Sequence, residues 1–253
     1  MPDLPRAAGR AVAAPLGALA RRRRGKPMHP RGAVFDAVLE RSGGPDWGVP
    51  WLAERASQRA LARLSRGAGL PAPLPDLLGL AVHVPDPDRP VDLLLSSTGR
   101  GRLTRLVPVP RRSAATVYSS IMGYRSDAGT LRLAALPERV PGRRTGTPSD
   151  PEPLAGAVAA DGLSFTLLVA RGLGPWQPFG RLRLTGPVTG LDPDLRFDAV
   201  RNPPPGLVAD GPMARFRAPA YAAARAGRDR QPGADPPAPG DPGAGSVSPD
   251  PIG

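Results

Sequence analysis

Short apolar segments of strand length, separated by turns rich in proline and glycine, constrain the fold of this chain most strongly. Residues 78–84 and 91–95 flank a turn that contains three prolines, and residues 163–170 form a continuous apolar run. Residues 130–133 and 181–184 alternate between apolar and polar side chains, which is the period of a strand with one buried face. We therefore expect an α+β protein that is mainly antiparallel β, with a closed barrel as one arrangement of its strands.

Helical patterns are weaker and short. Residues 50–64 carry apolar side chains at mixed spacing, and residues 214–227 have a helical composition interrupted by Pro219. Residues 141–155 have the Pro, Gly and Thr content of a loop. We expect a few flanking helices and no long one.

The composition divides the chain into three zones. Residues 1–25 contain six arginines and one aspartate, and we expect a basic, flexible N-terminal arm. Residues 229–253 are mostly Pro, Gly, Ala, Ser and Asp, and they offer too little apolar surface to offset the entropy of ordering. We expect a disordered tail there and one folded domain at residues 26–228.

Cysteine is absent, and histidine occurs only at His29 and His83. The chain therefore has no disulfide, no thiolate ligand for iron or zinc, and too few imidazoles for an all-histidine metal centre. A cysteine-free chain is typical of a reducing compartment, so we expect a cytoplasmic location.

The net charge of +12 raises the question of nucleic-acid binding. All but one of the 34 basic residues are arginine, which is a general compositional bias, and aromatic residues for base stacking are scarce. We expect no specific nucleic-acid partner. No apolar stretch approaches the ~20 residues of a transmembrane helix, so we expect no such segment.

Two motifs far apart in the chain carry the strongest chemical signal. His29 lies in Lys-Pro-Met-His-Pro-Arg-Gly-Ala at 26–33, and Tyr221 ends Arg-Ala-Pro-Ala-Tyr at 217–221, followed by Arg228. Shorter matches occur in order between them: Ala-Arg-Leu-Ser at 62–65, Asp-Leu-Leu-Gly-Leu-Ala at 76–81, Asp-Leu at 92–93, Pro-Phe-Gly-Arg-Leu at 178–182, Phe-Asp at 197–198, Pro-Pro-Gly-Leu at 204–207 and Met213. Over residues 26–228 this series resembles the catalase superfamily of haem proteins, and it implies the catalase-like β-barrel core with a few flanking helices.

The resemblance implies a Tyr-ligated ferric haem. Tyr221 would be the proximal iron ligand, and Arg217 would stabilise its phenolate, because a phenol with a pKa near ~10 needs a cation and ferric iron to ionise at neutral pH. His29 would be the distal acid–base group that moves a proton between the two peroxide oxygens. Ser65 would orient its imidazole.

Lys26, Arg63 and Arg228 match the positions that hold the haem propionates in the family. Fixed cations allow a doubly acidic cofactor to be buried without a prohibitive desolvation cost. We expect His83 and Asp76 to be structural, with Asp76 bracing a turn beside Gly79.

The chain departs from the family pattern in three ways. Ser96-Ser97 replaces the distal asparagine, and Ser97 is the residue expected to contact peroxide in its place. Ala222-Ala223 replaces Asp-Thr after the tyrosine, and we expect a protein without the family's long arm, wrapping segment and C-terminal domain. We therefore expect a minimal barrel core, monomeric or homodimeric, with peroxidase-like or organic hydroperoxide-processing activity, weak catalase activity and an unknown reductant.

Two alternatives remain open. The first is a degenerate barrel of the same fold that binds no haem and serves as a ligand-binding or interaction module. The second is a phosphodiesterase-type hydrolase, or an anion or nucleic-acid binder that uses the arginine content. The second lacks clustered Asp and His metal ligands and a phosphate loop in the sequence.

Overall fold

The computed structural model of the protein describes residues 31–139, 146–190 and 197–210. The strands in these ranges are β1 (Arg31–Ser42), β2 (Arg55–Arg66), β3 (Leu78–Val84), β4 (Val91–Ser97), β5 (Tyr118–Ser119), β6 (Gly123–Ser126), β7 (Gly129–Pro137), β8 (Leu163–Arg171), β9 (Gln177–Val188) and β10 (Val208–Asp210). The helices are α1 (Pro50–Ala53) and α2 (Pro151–Asp161), and a 3-10 turn spans Thr104–Leu106.

The sheet closes into an antiparallel barrel. Strands β1 to β4 pair in chain order, β1 also pairs with β9, and β9, β8 and β7 follow one another around the wall. The short strands β5 and β6 pair with successive stretches of one edge of β7, and β5 joins β4. Together β5 and β6 fill a single strand position in the wall, so the barrel has eight strand positions. The expected mainly antiparallel β-barrel with a few helices is confirmed.

Two local expectations are wrong. Residues 55–64, expected to continue a weak helix from Pro50, belong to β2, and α1 ends at Ala53. Adjacent apolar residues at 60–62 hide the period of two, because Leu61 lies on the outer face between two inward-facing alanines. Residues 151–155, expected as loop, begin helix α2 with a proline in its first turn, and Gly162 with φ of +65° ends it.

The barrel interior is the core of the protein. Alternate residues of the strands point inward, as the cross-strand neighbours Phe35, Ala62 and Val82 do, all with no exposed surface. From α1, Trp51 and Leu52 join this core, and the Trp51 ring lies 5.8 Å from that of Phe179. Leu154 and Val158 of α2 join it as well. The interior is therefore filled with side chains, and a ligand site has to lie on the outer face or in the loops.

Candidate functional site

A row of small residues crosses five strands on the outer face of the barrel. Its members are cross-strand partners in sequence: Gly32, Ser65, Gly79, Ser96 and Ser119, on β1, β2, β3, β4 and β5. Each lies one residue away from an inward-facing position, so all five side chains share the outer face. We call this set the small-residue row. Ser119, at one end, is covered by the 3-10 turn, because its hydroxyl donates to the carbonyl oxygen of Arg105 at 2.6 Å and it has no exposed surface. The side chains of the other four members project no further than a hydroxyl group, so they form a flat strip on the barrel wall.

Arg63 lies beside this row and is buried. Its side chain leaves β2 on the outer face, two residues before Ser65, and only 4% of Arg63 is exposed. The guanidinium packs over Gly32, where an ideal Cβ would be 2.7 Å from Cζ and 2.7 Å from Nη2 of Arg63. A side chain at residue 32 would therefore displace the guanidinium from this position. A buried, fixed cation at one edge of a flat strip is suited to holding an acidic group.

Ser65 occupies the second position of the row and is also buried. Its hydroxyl donates to the carbonyl oxygen of Gly79 across the β2–β3 pair, at 3.4 Å. This is a long hydrogen bond for a hydroxyl donor. Ser65 and Arg63, two of the site residues predicted from the sequence, are thus brought together on one face of one strand.

The expected position of Ser97 is corrected by the strand geometry. Ser97 is the cross-strand partner of the core residue Tyr118, has no exposed surface, and lies on the opposite face from Ser65. Its hydroxyl accepts a hydrogen bond from the backbone N–H of Leu78 at 3.0 Å and donates to the carbonyl of Val109 at 2.8 Å. Because side chains alternate along a strand, the outward-facing residue of the serine pair is Ser96.

The remaining predicted site residues lie outside the described ranges. These are His29, Lys26, Arg217, Arg228 and Tyr221, together with the N-terminal arm at 1–25 and the tail at 229–253. Their roles stay predictions.

The other two tyrosines are core residues. Tyr118 and Tyr124 have no exposed surface, and the Tyr118 hydroxyl donates to the carbonyl of Ala114 at 2.8 Å. Burial raises the pKa of the Tyr118 phenol well above its usual range. An accessible phenolate is therefore not available at Tyr118.

His83 and Asp92 form a pair that the sequence patterns did not predict. His83 Nδ1 lies 2.8 Å from Oδ1 of the buried Asp92. Oδ2 of Asp92 accepts hydrogen bonds from the backbone N–H of Asp198 at 2.9 Å and from Nδ2 of Asn202 at 2.7 Å. Asp92 therefore fastens the segment before β10 to β3 and β4. The only sequence signal for Asp92 was its place in the Asp-Leu match at 92–93. The pairing with a buried carboxylate fits the expected structural role of His83.

Asp76 is the second buried carboxylate with a structural role. It accepts hydrogen bonds from the backbone N–H groups of Ala68, Leu70 and Leu77 at 2.7 to 3.0 Å, and Arg66 Nε lies 3.8 Å from it. The expectation that Asp76 braces a turn is confirmed.

The described residues contain no group of three or more His, Asp and Glu side chains placed to hold a metal ion. None of their helices is long and apolar enough to cross a membrane.

The described part of the outer face has a shape and a charge that fit a haem. A planar macrocycle can approach a strip without projecting side chains closely, and Arg63 can pair with a carboxylate at its edge. The residues that fit the cofactor are thus Gly32, Arg63, Ser65, Gly79 and Ser96.

Comparison with known proteins identifies the fold. No protein-family model and no curated sequence matches the chain. Among solved structures it is similar to catalase A from Saccharomyces cerevisiae, with a TM-score of 0.59, 11% sequence identity, and coverage of 84% of this chain and 63% of that one. For a fungal catalase the TM-score is 0.58 and the sequence identity 12%, with coverage of 84% of this chain and 61% of that one. For a bacterial catalase the TM-score is 0.60 and the identity 12%, with coverage of 84% of this chain and 59% of that one. The chain therefore has the catalase-like fold and spans about three fifths of the length of these catalases.

Proposed function

We propose that this protein is a haem-dependent oxidoreductase that acts on peroxides. The observation that carries the proposal is the small-residue row beside the buried Arg63, on the outer wall of a catalase-like barrel. When bound, haem would supply a redox-active iron for the reaction with peroxide.

Arg63 would hold one propionate group of the haem. Its guanidinium is fixed by packing against Gly32 and is almost fully buried, so it can pair with a carboxylate at low cost in side-chain entropy. Lys26 and Arg228 are proposed as the other propionate partners. Tyr221 is proposed as the iron ligand, and Arg217 as the cation that keeps its phenolate ionised.

His29 would move the proton that peroxide cleavage requires. It precedes Gly32 by three residues, and Gly32 is the cross-strand partner of Ser65, which supports the proposal that Ser65 orients the imidazole. The imidazole would take a proton from one peroxide oxygen and deliver it to the other, so that water or an alcohol leaves.

We propose Ser96, in place of Ser97, as the polar neighbour of bound peroxide. Ser96 is the cross-strand partner of Gly79 on the outer face, whereas the Ser97 hydroxyl is engaged by backbone groups. A serine hydroxyl is shorter than the amide of an asparagine and leaves more room. This favours organic hydroperoxides as substrates over disproportionation of hydrogen peroxide.

The proposed compartment follows from composition, because a cysteine-free chain is typical of the cytoplasm. The resemblance to the catalase superfamily is the basis for proposing a peroxide as substrate, a separate reductant, and a monomer or homodimer as the working form.

The chain provides its own matched control for the test. Its only two histidines are His29 and His83, and His83 is bonded to Asp92. Haem-loaded wild-type protein, His29→Gln and His83→Gln should be assayed with cumene hydroperoxide and with hydrogen peroxide. The proposal predicts that His29→Gln loses at least ~100-fold in kcat/KM, the usual size of a general acid–base contribution, whereas His83→Gln stays within a few-fold of wild type. Equal activity of all three proteins would contradict it.

A further inference from the structure

Three arginines converge on the turn between β8 and β9. Arg132, Arg102 and Arg105 donate to the carbonyl oxygens of three successive residues, Gly172, Leu173 and Gly174, over 3.2, 3.0 and 3.0 Å, respectively. Because consecutive Cα atoms are only ~3.8 Å apart, the three guanidiniums lie around one short turn. We call them the arginine triad.

The triad is a concentration of positive charge without an acidic partner. In the ranges described above, none of its members forms an ion pair with a carboxylate. Burial, followed by the charges of Arg132 and Arg102, lowers the pKa of Arg105 from its usual value. The three like charges are therefore held together by the backbone carbonyls, and an anion would relieve their repulsion.

The position of Arg105 is fixed by packing. The residue is 2% exposed, its Cζ lies 4.1 Å from the centre of the Trp176 ring, and its Nε donates to the carbonyl of Gly101 at 3.3 Å. Trp176 in turn donates through Nε1 to the carbonyl of Arg100 at 3.3 Å. The loop at 99–107 and the turn at 172–174 are thus locked together, and the triad is preorganised before any ligand binds.

Donor groups remain for a ligand. A guanidinium carries five N–H donors, and the hydrogen bonds of the triad use one in Arg102, two in Arg105 and one in Arg132. The Nε of Arg132 is buried and has no hydrogen-bond partner. A buried donor without an acceptor is costly, and an oxyanion would satisfy it.

We propose that the arginine triad binds a phosphate group. Phosphate offers several acceptor oxygens and the charge that guanidinium groups recognise by paired hydrogen bonds. The guanidinium groups of the triad surround the β8–β9 turn, and Arg132 is on β7, opposite the β2 strand that carries Arg63. The backbone carbonyl of Arg105 accepts a hydrogen bond from Ser119 at 2.6 Å, so the triad's loop adjoins the far end of the small-residue row. The phosphate belongs either to a soluble compound or to a lipid headgroup. Leu103 and Leu173, 67% and 42% exposed, stand beside the triad and would suit the second source.

Inorganic phosphate tests the site in solution. Thermal unfolding of the full chain should be followed in increasing phosphate, with chloride adjusted to constant ionic strength. Binding to the folded state raises the Tm by mass action. We expect this rise in wild type and in Arg183→Gln, which removes an exposed arginine on β9 and so has the same net charge as Arg132→Gln. In Arg132→Gln the apparent Kd should increase at least ~10-fold.

Two further arms make the outcome decisive. Arg102→Gln removes the exposed member of the triad, so it tests the same site if Arg132→Gln does not fold. Flotation with vesicles of phosphatidylcholine, alone or with phosphatidic acid, tests the lipid source, and Leu103→Ser should weaken that binding only. The proposal is supported if wild type shows a rise of the Tm in phosphate, or binds vesicles only when they contain phosphatidic acid, and if Arg183→Gln keeps that response while the triad variants lose it. The proposal is overturned if wild type shows neither response, or if all variants respond equally.

Discussion

The guanidinium of Arg63 occupies the space that a side chain at residue 32 would need. An ideal Cβ on Gly32 would come within 2.7 Å of Arg63 Cζ, well inside van der Waals contact. Arg63 is nearly fully buried, and its guanidinium stays where it is only while residue 32 carries no Cβ. This contact joins β1 to β2 at the edge of the small-residue row.

Gly32→Ala should displace the Arg63 guanidinium. Because the atoms that the new Cβ meets are the far end of a flexible side chain, we expect the guanidinium to move at a cost of less than about 1 kcal/mol in the free energy of unfolding, and we expect weaker haem uptake. Urea unfolding and haem titration measure the two effects. Gly186→Ala on β9 is the control, because a Cβ there meets nothing within 4 Å. Equal behaviour of the two variants would contradict the packing described for Arg63.

Arg63→Gln should weaken haem binding through loss of charge. A charge-assisted hydrogen bond contributes about 1.5–3 kcal/mol, so we expect the haem Kd to rise roughly 10- to 100-fold. Arg59→Gln is the matched control, since Arg59 is exposed on the same face of the same strand. The two Kd values can be compared by absorbance titration of the purified proteins. A Kd for Arg63→Gln equal to that of Arg59→Gln would remove Arg63 from the site.

Asp92→Ala should loosen the segment before β10. Oδ2 of Asp92 accepts hydrogen bonds from the Asp198 N–H and the Asn202 amide, Oδ1 pairs with His83, and alanine removes all three contacts. We expect about 1–3 kcal/mol less stability and faster amide exchange at residues 198–202. Asp88→Ala, in an exposed turn, should change neither quantity measurably. Unchanged exchange in Asp92→Ala would show that other contacts hold the segment.

Asp76→Ala should be the most destabilising of these substitutions. It leaves three backbone N–H groups without their acceptor and removes a carboxylate from the neighbourhood of the buried Arg66. We expect a loss of about 3 kcal/mol in the free energy of unfolding. Asp86→Ala, at an exposed turn where Asp86 accepts from the N–H groups of Asp88 and Arg89, should cost less than about 1 kcal/mol. Equal costs would mean that the contacts of the buried Asp76 carboxylate do not stabilise the protein more than those of an exposed turn.

The sequence predicted strands where a period-two pattern was clean or where an apolar run had the length of a strand. The alternating residues 130–133 and 181–184 lie in β7 and β9, and the apolar run at 163–170 lies in β8. Residues 55–64 misled the prediction because Leu61 is apolar yet faces outward, which destroys the alternation. Helix α2 was hidden by its prolines, which are compatible with the first turn of a helix but are also typical of loops.

The positions of two proposed site residues followed from a motif on one strand. Arg63 and Ser65 were identified from a four-residue match, and the structure places both on the outer face of β2. The choice between Ser96 and Ser97 could not be made from the sequence, since a shift of one residue reverses the face of a strand. The role of Gly32 was also out of reach, because the close approach of Arg63 arises only when β1 and β2 pair.

Haem uptake tests the central claim most directly. The protein should be expressed with added haem precursor, and the absorption spectra of wild type and Tyr221→Phe should be compared at equal protein concentration. We predict a Soret band with a ferric phenolate charge-transfer pattern in wild type, and loss of that pattern in Tyr221→Phe. A wild-type protein that takes up no haem would contradict the proposed function, while the catalase-like fold would stand.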